Sequence, residues 1–362
     1  MRKLYFILSG LMLLLADAYA QKVADRSHQA ANDSRAINVG LEHISKRSVE
    51  AHLSFLASDA LEGREAGKTG GRVAAEYIKA VLLGTGVKPF YANTYFQPFE
   101  AYSPLREKHA EFEVQPDSVA KYRQAAAYRE LKLQNVLGYV EGQKKDEYVV
   151  LGAHYDHIGA DELLVGDRVY NGADDNASGV AVALQVAKAL AAGGEKPLRS
   201  IIFAFWDGEE VNYLGSEYFV AGFAQPSSIK AYVNLDMVGR QGVLPTFYPS
   251  FELPEGWDKP DTVANNSVYL LHTEELNVLG EQLVKEVAQL KLDLNPKPSA
   301  LAHKSRGSDG YPFSLRAIPV LWFFTGIHPE YHTPVDEPAG VNLNKLTEIS
   351  KATFLSLWRL AN

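Results

Sequence analysis

The fold is decided by one stretch of the sequence, YVVLGAHYDH at residues 148–157. Its first half is continuously apolar, which is typical of a strand buried on both faces of a sheet. Histidine and aspartate follow at once, and packing alone does not require them at a buried strand end. We therefore expect a sheet that is covered on both sides and that presents polar side chains beyond the end of this strand.

The same pattern recurs along the chain. Apolar strands are predicted at 135–140, 201–206, 231–235 and 318–324, and edge strands within 95–115. Helices are predicted at 49–57, 73–83, 178–192, 216–223, 274–290 and 343–360, and 118–131 is compatible with a helix. Strands that alternate with helices predict an α/β fold, a three-layer αβα arrangement around a central mixed, mostly parallel sheet.

Three segments are predicted along the chain. Residues 1–20 begin with two cationic side chains, continue with an apolar run and end in Ala18-Tyr19-Ala20, the layout of a secretory signal peptide. The run is short for a membrane span, so we expect an exported protein, periplasmic or extracellular, without a span after cleavage; the alternative is an uncleaved N-terminal anchor. Residues 21–45 are polar and predict an N-terminal arm, a tail or a loosely packed segment, and residues 46–362 predict one domain. Within this domain, residues 241–273 are interpreted as an insertion, which either forms a rim over the functional site or is a surface segment without a role.

Composition excludes several classes of protein. The chain has 36 Lys plus Arg against 44 Asp plus Glu, a net charge of −8, whereas nucleic-acid binders need a basic face. It contains no cysteine, which excludes disulfides, thiolate metal sites and thiol nucleophiles. Metal chemistry in this chain must therefore use histidine, aspartate and glutamate.

Carboxylates and histidines cluster where the apolar segments end. The segments concerned are GAHYDH (152–157), NGADDNASG (171–179), DGEE (207–210), Asp236 and YHTP (331–334). Each alone has a structural explanation, since aspartate and asparagine before a helix usually cap it. Together, so many carboxylates at one sheet edge would repel each other and lose solvation, at a cost of several kcal/mol, unless a cation binds. The clustering therefore predicts a metal site.

The ligand types indicate the metal. Histidines with carboxylates and no thiolate suit zinc, with manganese or cobalt as substitutes, whereas calcium prefers oxygen ligands alone. One zinc with an open position uses about three protein ligands. The five good candidates therefore predict two zinc ions that share an aspartate.

The motifs resemble those of the M28 family of zinc exopeptidases, the co-catalytic dizinc aminopeptidases. The matching segments are GAHYDH (152–157), NGADDNASG (171–179), GEE (208–210), NLD (234–236) and YHTPVD (331–336). LASDALEGREAGKTGG (56–71) and NVLGYVEG (135–142) are also similar to segments of this family. The resemblance covers the chain from about residue 46 to the end, and it implies that residues 46–362 form a single zinc-peptidase catalytic domain.

The resemblance implies a role for each residue. Five are implied as metal ligands: His154 and Asp236 at one zinc, Glu210 and His332 at the other, and Asp175 as the bridge. Glu209 would be the general base that acts on a metal-activated water, and Asp156 would hold the imidazole of His154. The family also implies a cis peptide bond between Asp175 and Asn176.

Further residues near the motifs are interpreted separately. Tyr331 directly precedes His332, and we expect its hydroxyl to donate a hydrogen bond to the oxyanion, with packing of the loop as the alternative. His157, His303 and His328 are interpreted as surface residues or neighbours of the ligands rather than as ligands.

The expected function is that of an exported dizinc metallo-aminopeptidase, a hydrolase of peptides with a free N-terminus. Four carboxylates, two zinc ions and a hydroxide leave a charge of about −1, which suits an ammonium group, and Lys304 and Arg306 form no evident clamp for a carboxylate. Carboxypeptidase or dipeptidase activity remains open. The alternatives are a glutaminyl cyclase, which shares the fold but uses one zinc, and a non-catalytic receptor-like domain, which would be expected to lack ligands or the base.

Overall fold

The computed structural model describes residues 33–91, 93–104, 111–124, 127–242, 265–301, 304 and 306–362. The predicted signal peptide, residues 21–32 of the arm, residues 243–264 of the interpreted insertion and His303 lie outside the described residues. No helix within the described ranges combines the length and the apolar character needed to cross a bilayer.

Nine α-helices are formed by the described residues. They are α1 (33–42), α2 (Lys46–Leu56), α3 (Thr69–Thr85), α4 (Pro116–Arg123), α5 (Gly179–Ala192), α6 (Leu214–Gly222), α7 (Asn277–Gln289), α8 (Gly310–Ser314) and α9 (Leu343–Ala361). The strands are β1 (Lys88–Pro89), β2 (Phe96–Pro104), β3 (Tyr128–Val140), β4 (Lys144–His154), β5 (Gly159–Ala160), β6 (Val169–Tyr170), β7 (Arg199–Trp206), β8 (Ile229–Leu235), β9 (Ser267–His272), β10 (Asn295–Ala300) and β11 (Val320–Phe324).

The main sheet is mixed, as predicted. Its strand order is β1-β3-β7-β4-β8-β11-β9-β10, and β2 pairs with β3. Strands β7, β4, β8 and β11 are parallel to one another, while β3 and β9 run antiparallel to their inner neighbours. Among the described strands, parallel pairing is limited to these four and to β9 with β10, so the description "mostly parallel" holds for the centre of the sheet only.

Helices cover both faces of the sheet and complete the predicted three layers. Val149 and Leu151 of β4 belong to the core shared with α2, α3, α5, α7 and α9, whereas Val150 belongs to the core shared with α6 and α8. Neighbouring residues of one strand thus pack on opposite faces, which explains why the 148–157 segment shows no polar alternation.

Several sequence predictions of local structure were wrong. Residues 33–42 of the arm form helix α1, with Ala36 and Ile37 buried, rather than a loosely packed segment. Helix α4 ends at Arg123, and β3 begins at Tyr128, so the helix does not continue to 131.

The limits of the interpreted insertion at 241–273 were also wrong. Every residue of β9 is buried, and β9 pairs with β10 and β11 in the main sheet. The segment SVYLLH is an ordinary buried-strand signal, which the proline- and aromatic-rich composition before it obscured. Strand β10 was missed because NPKPSA carries two prolines, which are tolerated at the edge of a sheet.

The sheet brings four strand ends together. Strands β7, β4, β8 and β11 are adjacent and parallel, so the loops that follow Trp206, His154, Leu235 and Phe324 leave from the same edge. This edge is where the sequence places its carboxylates and histidines.

Candidate metal centre

Each predicted ligand reaches this edge from its own element. His154 is the last residue of β4, and Asp236 follows β8 directly. Glu209 and Glu210 lie in the turn between β7 and α6, Asp175 lies just before α5, and His332 lies in the loop after β11. The structure brings all six side chains together.

Two ligand groups share Asp175. One carboxylate oxygen of Asp175, Oδ1, lies 3.2 Å from His154 Nε2, and the other, Oδ2, lies 3.1 Å from His332 Nε2. Asp236 Oδ1 is 3.5 Å from His154 Nε2, and Glu210 Oε2 is 3.2 Å from His332 Nε2. The geometry therefore pairs His154 with Asp236 and His332 with Glu210, and leaves Asp175 between the pairs.

These side chains fit a divalent cation. Nε2 of His154 and Nε2 of His332 are buried and make no hydrogen bond with the described residues, despite their short distances to Asp175. Ligand atoms of His154, Asp175 and Glu210 all lie within 4.8 Å of one another. Imidazole nitrogens and carboxylate oxygens that converge without bonding each other form the donor set that zinc uses.

The charges of the protein alone also point to a cation. Burial raises the pKa of Glu209 well above its usual value, and the carboxylates of Asp236, Asp309 and Glu210 add to this against the opposing effect of His154. Burial by itself would lower the pKa of His332, but its carboxylate neighbours Asp175 and Glu210 raise it to about 10. Both shifts reflect the negative charge that surrounds these side chains, which a bound cation would balance.

Asp174 and Asp175 are adjacent but face different ways. Asp174 accepts hydrogen bonds from the backbone N–H groups of Gly239 (2.6 Å) and Arg240 (3.2 Å) and lies 3.4 Å from His328 Nε2. Asp175, and not Asp174, faces His154 and His332, as the resemblance implies. The predicted cis peptide bond is present between Asp175 and Asn176.

Asp336 holds the loop of Asp175, a role that the sequence did not reveal. Its buried carboxylate accepts hydrogen bonds from the N–H groups of Asp174 (2.9 Å) and Asp175 (3.1 Å) and lies 3.2 Å from Arg240 Nε. Because Asp336 follows His332 by four residues, it ties the loops of two ligands together. The signal was present, since Asp336 closes the YHTPVD motif.

Asp156 differs from its predicted role. His154 Nδ1 is 3.2 Å from the main-chain oxygen of Asp156 and 3.8 Å from its carboxylate, which is too long for a hydrogen bond. The carboxylate instead accepts the N–H groups of Glu209 (3.0 Å) and Glu210 (3.3 Å). The carbonyl thus orients His154 with Nε2 toward the cluster, while the carboxylate fixes the turn of the two glutamates.

A chain of buried hydrogen bonds ends at Asp236. Ser308 donates its hydroxyl to Asp236 Oδ2 (2.5 Å), and the Asn234 amide donates to Ser308 Oγ (2.7 Å). Tyr232 in turn donates to Asn234 (2.7 Å), and the Trp206 indole donates to Tyr232 (2.9 Å). The chain holds the second oxygen of Asp236 so that Oδ1 faces His154.

Glu209 and Tyr331 lie beside the ligand groups. Glu209 Oε2 is 4.0 Å from His154 Nε2, on the side of Asp236. The ring of Tyr331 stacks on the ring of His332, with centroids 3.7 Å apart. Burial raises the pKa of Tyr331, and the carboxylates of Asp175 and Glu210 raise it further, so its hydroxyl is a protonated donor at neutral pH.

A buried guanidinium lies behind the cluster. Arg64, from the 56–71 motif, donates to the main-chain oxygens of Tyr155 (2.8 Å), Asn171 (2.7 Å) and Gly172 (3.0 Å). Burial lowers its pKa to about 10, and the Asp175 carboxylate opposes that shift. Arg64 therefore remains charged at neutral pH and joins the loop of His154 to that of Asp175.

Comparison with known proteins is consistent with this geometry. Residues 135–356 match peptidase family M28. The chain belongs to this family.

The curated relatives include peptidases of two kinds. A probable leucine aminopeptidase of Arthroderma otae is 26% identical over 233 residues, which are 63% of this chain and 57% of that protein. A glutamate carboxypeptidase 2 homolog of Caenorhabditis elegans is 35% identical over 117 residues, 30% of this chain and 14% of that protein. The chain thus spans less than two thirds of the length of these relatives.

Solved structures share the fold. A zinc aminopeptidase from Bacillus subtilis aligns with 87% of this chain and 95% of its own, at a TM-score of 0.60 and 14% identity. Porphyromonas gingivalis glutaminyl cyclase aligns with 87% of this chain and 98% of its own, at a TM-score of 0.57 and 17% identity. The family match and the curated relatives support the prediction of a zinc-dependent hydrolase, whereas the structural likenesses establish the fold alone.

Proposed function

We propose that the chain is an exported dizinc aminopeptidase that removes N-terminal residues from peptides. The observation that carries the proposal is the division of Asp175 between two ligand groups, with Oδ1 facing His154 and Oδ2 facing His332. In this assignment, His154 and Asp236 would hold one zinc, Glu210 and His332 would hold the other, and Asp175 would contribute one carboxylate oxygen to each.

Glu209 is the proposed general base. Zinc, when bound, polarises the carbonyl of the scissile bond and lowers the pKa of a water to about 7. The Glu209 carboxylate takes a proton from the attacking water and passes it to the leaving amine. Its neighbour Glu210 cannot exchange roles with it, because one Glu210 oxygen is held by His157 and the other faces His332.

Tyr331 is the proposed donor to the oxyanion. Its ring is stacked on the ring of His332, which restricts the direction of the phenol, and the carboxylates of Asp175 and Glu210 are close enough to raise its pKa. A hydroxyl held in place before the reaction stabilises the negative charge that develops on the carbonyl oxygen.

The charge of the centre supports removal of residues from the N-terminus. The carboxylates around the metals favour a substrate ammonium group, and a free carboxylate would need a cationic clamp. Arg64 is a buried cation close to the centre, but its guanidinium already donates to the carbonyls of Leu56, Tyr155, Asn171 and Gly172. Because the curated relatives include a glutamate carboxypeptidase homolog, cleavage at the N-terminus and cleavage at the C-terminus must be distinguished by measurement.

A panel of blocked peptides tests the proposal. One sequence is offered in its free form, with an acetylated N-terminus and with an amidated C-terminus, and the released amino acids are measured. We expect acetylation to abolish cleavage and amidation to change it little. The opposite result would establish a carboxypeptidase. Cyclisation of N-terminal glutamine without hydrolysis would establish a glutaminyl cyclase. The presence of two complete ligand groups argues against a glutaminyl cyclase.

Export is a separate part of the proposal and rests on residues 1–20. We expect the chain purified from the periplasm or medium of an expressing bacterium to begin at Gln21, directly after Ala18-Tyr19-Ala20. Sequencing of its N-terminus measures this, and a full-length chain retained in the cytoplasm would contradict it.

A further inference from the structure

We infer that His157 is a positioning residue that orients Glu210 and thereby sets the affinity of the metal site formed by Glu210 and His332. The inference rests on the proposed dizinc centre, but it concerns a residue that the ligand set leaves out. The sequence pattern did not distinguish His157 from a surface histidine.

The two oxygens of the Glu210 carboxylate have different neighbours, and this difference supports the inference. His157 Nδ1 lies 2.6 Å from Glu210 Oε1, while Glu210 Oε2 lies 3.2 Å from His332 Nε2. A carboxylate accepts but does not donate, so His157 donates through Nδ1. One Glu210 oxygen is therefore held by the protein and the other is directed toward the centre.

The imidazole of His157 is fixed in place. The residue is 1% exposed, and its backbone N–H donates to the carbonyl of Arg64 at 3.1 Å. Gly172 lies against the ring, where a Cβ would come within 2.5 Å of His157 Cδ2. The ring also packs edge-on against the ring of His332, with centroids 5.7 Å apart at 71°. These contacts restrict the ring and leave it little access to water.

The other nitrogen of the ring shows that packing alone does not explain the histidine. His157 Nε2 is buried and has no hydrogen-bond partner among the described residues. A buried polar atom without a partner is unfavourable, and native structures rarely keep one without a reason. The hydrogen bond between His157 Nδ1 and Glu210 explains why a histidine is kept at this buried position although its Nε2 has no partner among the described residues.

Loss of this donor should affect one metal site more than the other. Residues that orient a ligand typically change metal affinity 10–100-fold when they are replaced. His157 bonds to Glu210, whereas Asp236 is held on the opposite side by Ser308. The ion held by Glu210 and His332 should therefore bind more weakly, and the ion held by His154 and Asp236 should be little changed.

Three variants separate positioning from packing. His157→Leu removes the donor, whereas His157→Asn carries an amide nitrogen at the same number of bonds from Cβ as Nδ1. His52→Leu is the matched control, because His52 is a buried histidine whose Nδ1 contacts the Tyr77 hydroxyl (2.8 Å) instead of a predicted ligand. Competition of metal-free protein with a zinc chelator measures the affinity of each ion.

In His157→Leu, we expect the ion held by Glu210 and His332 to bind roughly 10–100-fold more weakly. We expect His157→Asn to recover most of this affinity, and His52→Leu to bind both ions with unchanged affinity. Two unchanged ions in His157→Leu would overturn the inference, and so would equal losses in the Leu and Asn variants. If the Leu variant does not fold, His157→Gln replaces it, since its amide lies one bond too far and should not restore the site. Peptide cleavage does not enter this readout, so failure of the aminopeptidase proposal would be seen separately.

Discussion

Two adjacent glutamates, Glu209 and Glu210, share one turn but have different surroundings. Their backbone N–H groups are both held by the Asp156 carboxylate. The Glu210 side chain is fixed between His157 and His332, whereas Glu209 lies 4.0 Å from His154 beside Asp236. A ligand and a base can therefore follow each other in sequence without competing for the same atom.

Replacement of the base should separate metal binding from catalysis. Glu209→Gln keeps the shape of the side chain but cannot accept the proton, so we expect both zinc ions to remain and the rate to fall about 10²–10⁴-fold. The turnover number and the zinc content of the same preparation are the measurements. Near-normal turnover would show that another group is the base, and loss of a zinc would show that Glu209 is a ligand.

Removal of the phenol should reveal whether Tyr331 acts on the oxyanion. Tyr331→Phe keeps the ring stacked on His332 and deletes the donor, and loss of such a donor typically costs about 3 kcal/mol of transition-state stabilisation, or about 10²-fold in kcat. Tyr77→Phe removes the hydroxyl that contacts His52 instead of a residue of the proposed site and serves as the control. An unchanged kcat in Tyr331→Phe would favour the packing role of the ring.

At the scale of elements, the loops after the strands are held by side chains from other elements. Ser308 precedes α8 but donates to Asp236 after β8, and Asp336 follows β11 but accepts from the loop before α5. Such contacts join residues that are far apart in sequence. The local sequence gives the ligands, while the partners that orient them appear only in the folded chain.

Ser308 offers a test of this support. Ser308→Ala removes the hydroxyl that donates to Asp236 Oδ2 and leaves that oxygen free to turn away from its site. We expect the ion held by His154 and Asp236 to bind about 10–100-fold more weakly, with the other ion unchanged, which is the reverse of the pattern expected for His157→Leu. Chelator competition measures it, and equal weakening of both ions would contradict two independently supported sites.

The elements that the sequence predicted are those with an unambiguous pattern. Strand β4 was predicted from its apolar run, and His154 directly after the run marked the strand end as a candidate site. The order of the motifs then gave all five proposed ligands. Strand β10 was missed because its prolines are a signal against a strand, and only its edge position permits them. The role of Asp156 was misassigned because the sequence cannot tell whether its carbonyl or its carboxylate faces His154.

At the scale of the whole molecule, one face of the sheet contains a titratable group outside the predicted ligand set. His52 of α2 is buried, and burial, with a smaller effect of Lys188, lowers its pKa to about 4. The unfolded chain therefore binds a proton at this site between about pH 6.5 and 4 while the folded chain does not. The contribution of neutral His52 to stability is complete above pH 6.5 and is lost as the pH falls toward 4.

His52→Leu should remove this pH dependence. The free energy of unfolding of the wild type relative to the variant should fall by about 1.4 kcal/mol per pH unit at most within this window. Denaturant unfolding of both metal-free proteins at several pH values between 7.5 and 4 measures the difference. A difference that stays constant with pH would show that His52 titrates alike in the folded and unfolded chains.

The central claim is that one chain holds two zinc ions through a shared Asp175. The most direct measurement is elemental analysis of protein that has been stripped with a chelator, resaturated with zinc and freed of excess metal. We predict two zinc ions per chain, because the ligand groups on the two sides of Asp175 are separate and complete. One zinc per chain at saturation, in protein with full peptidase activity, would contradict it.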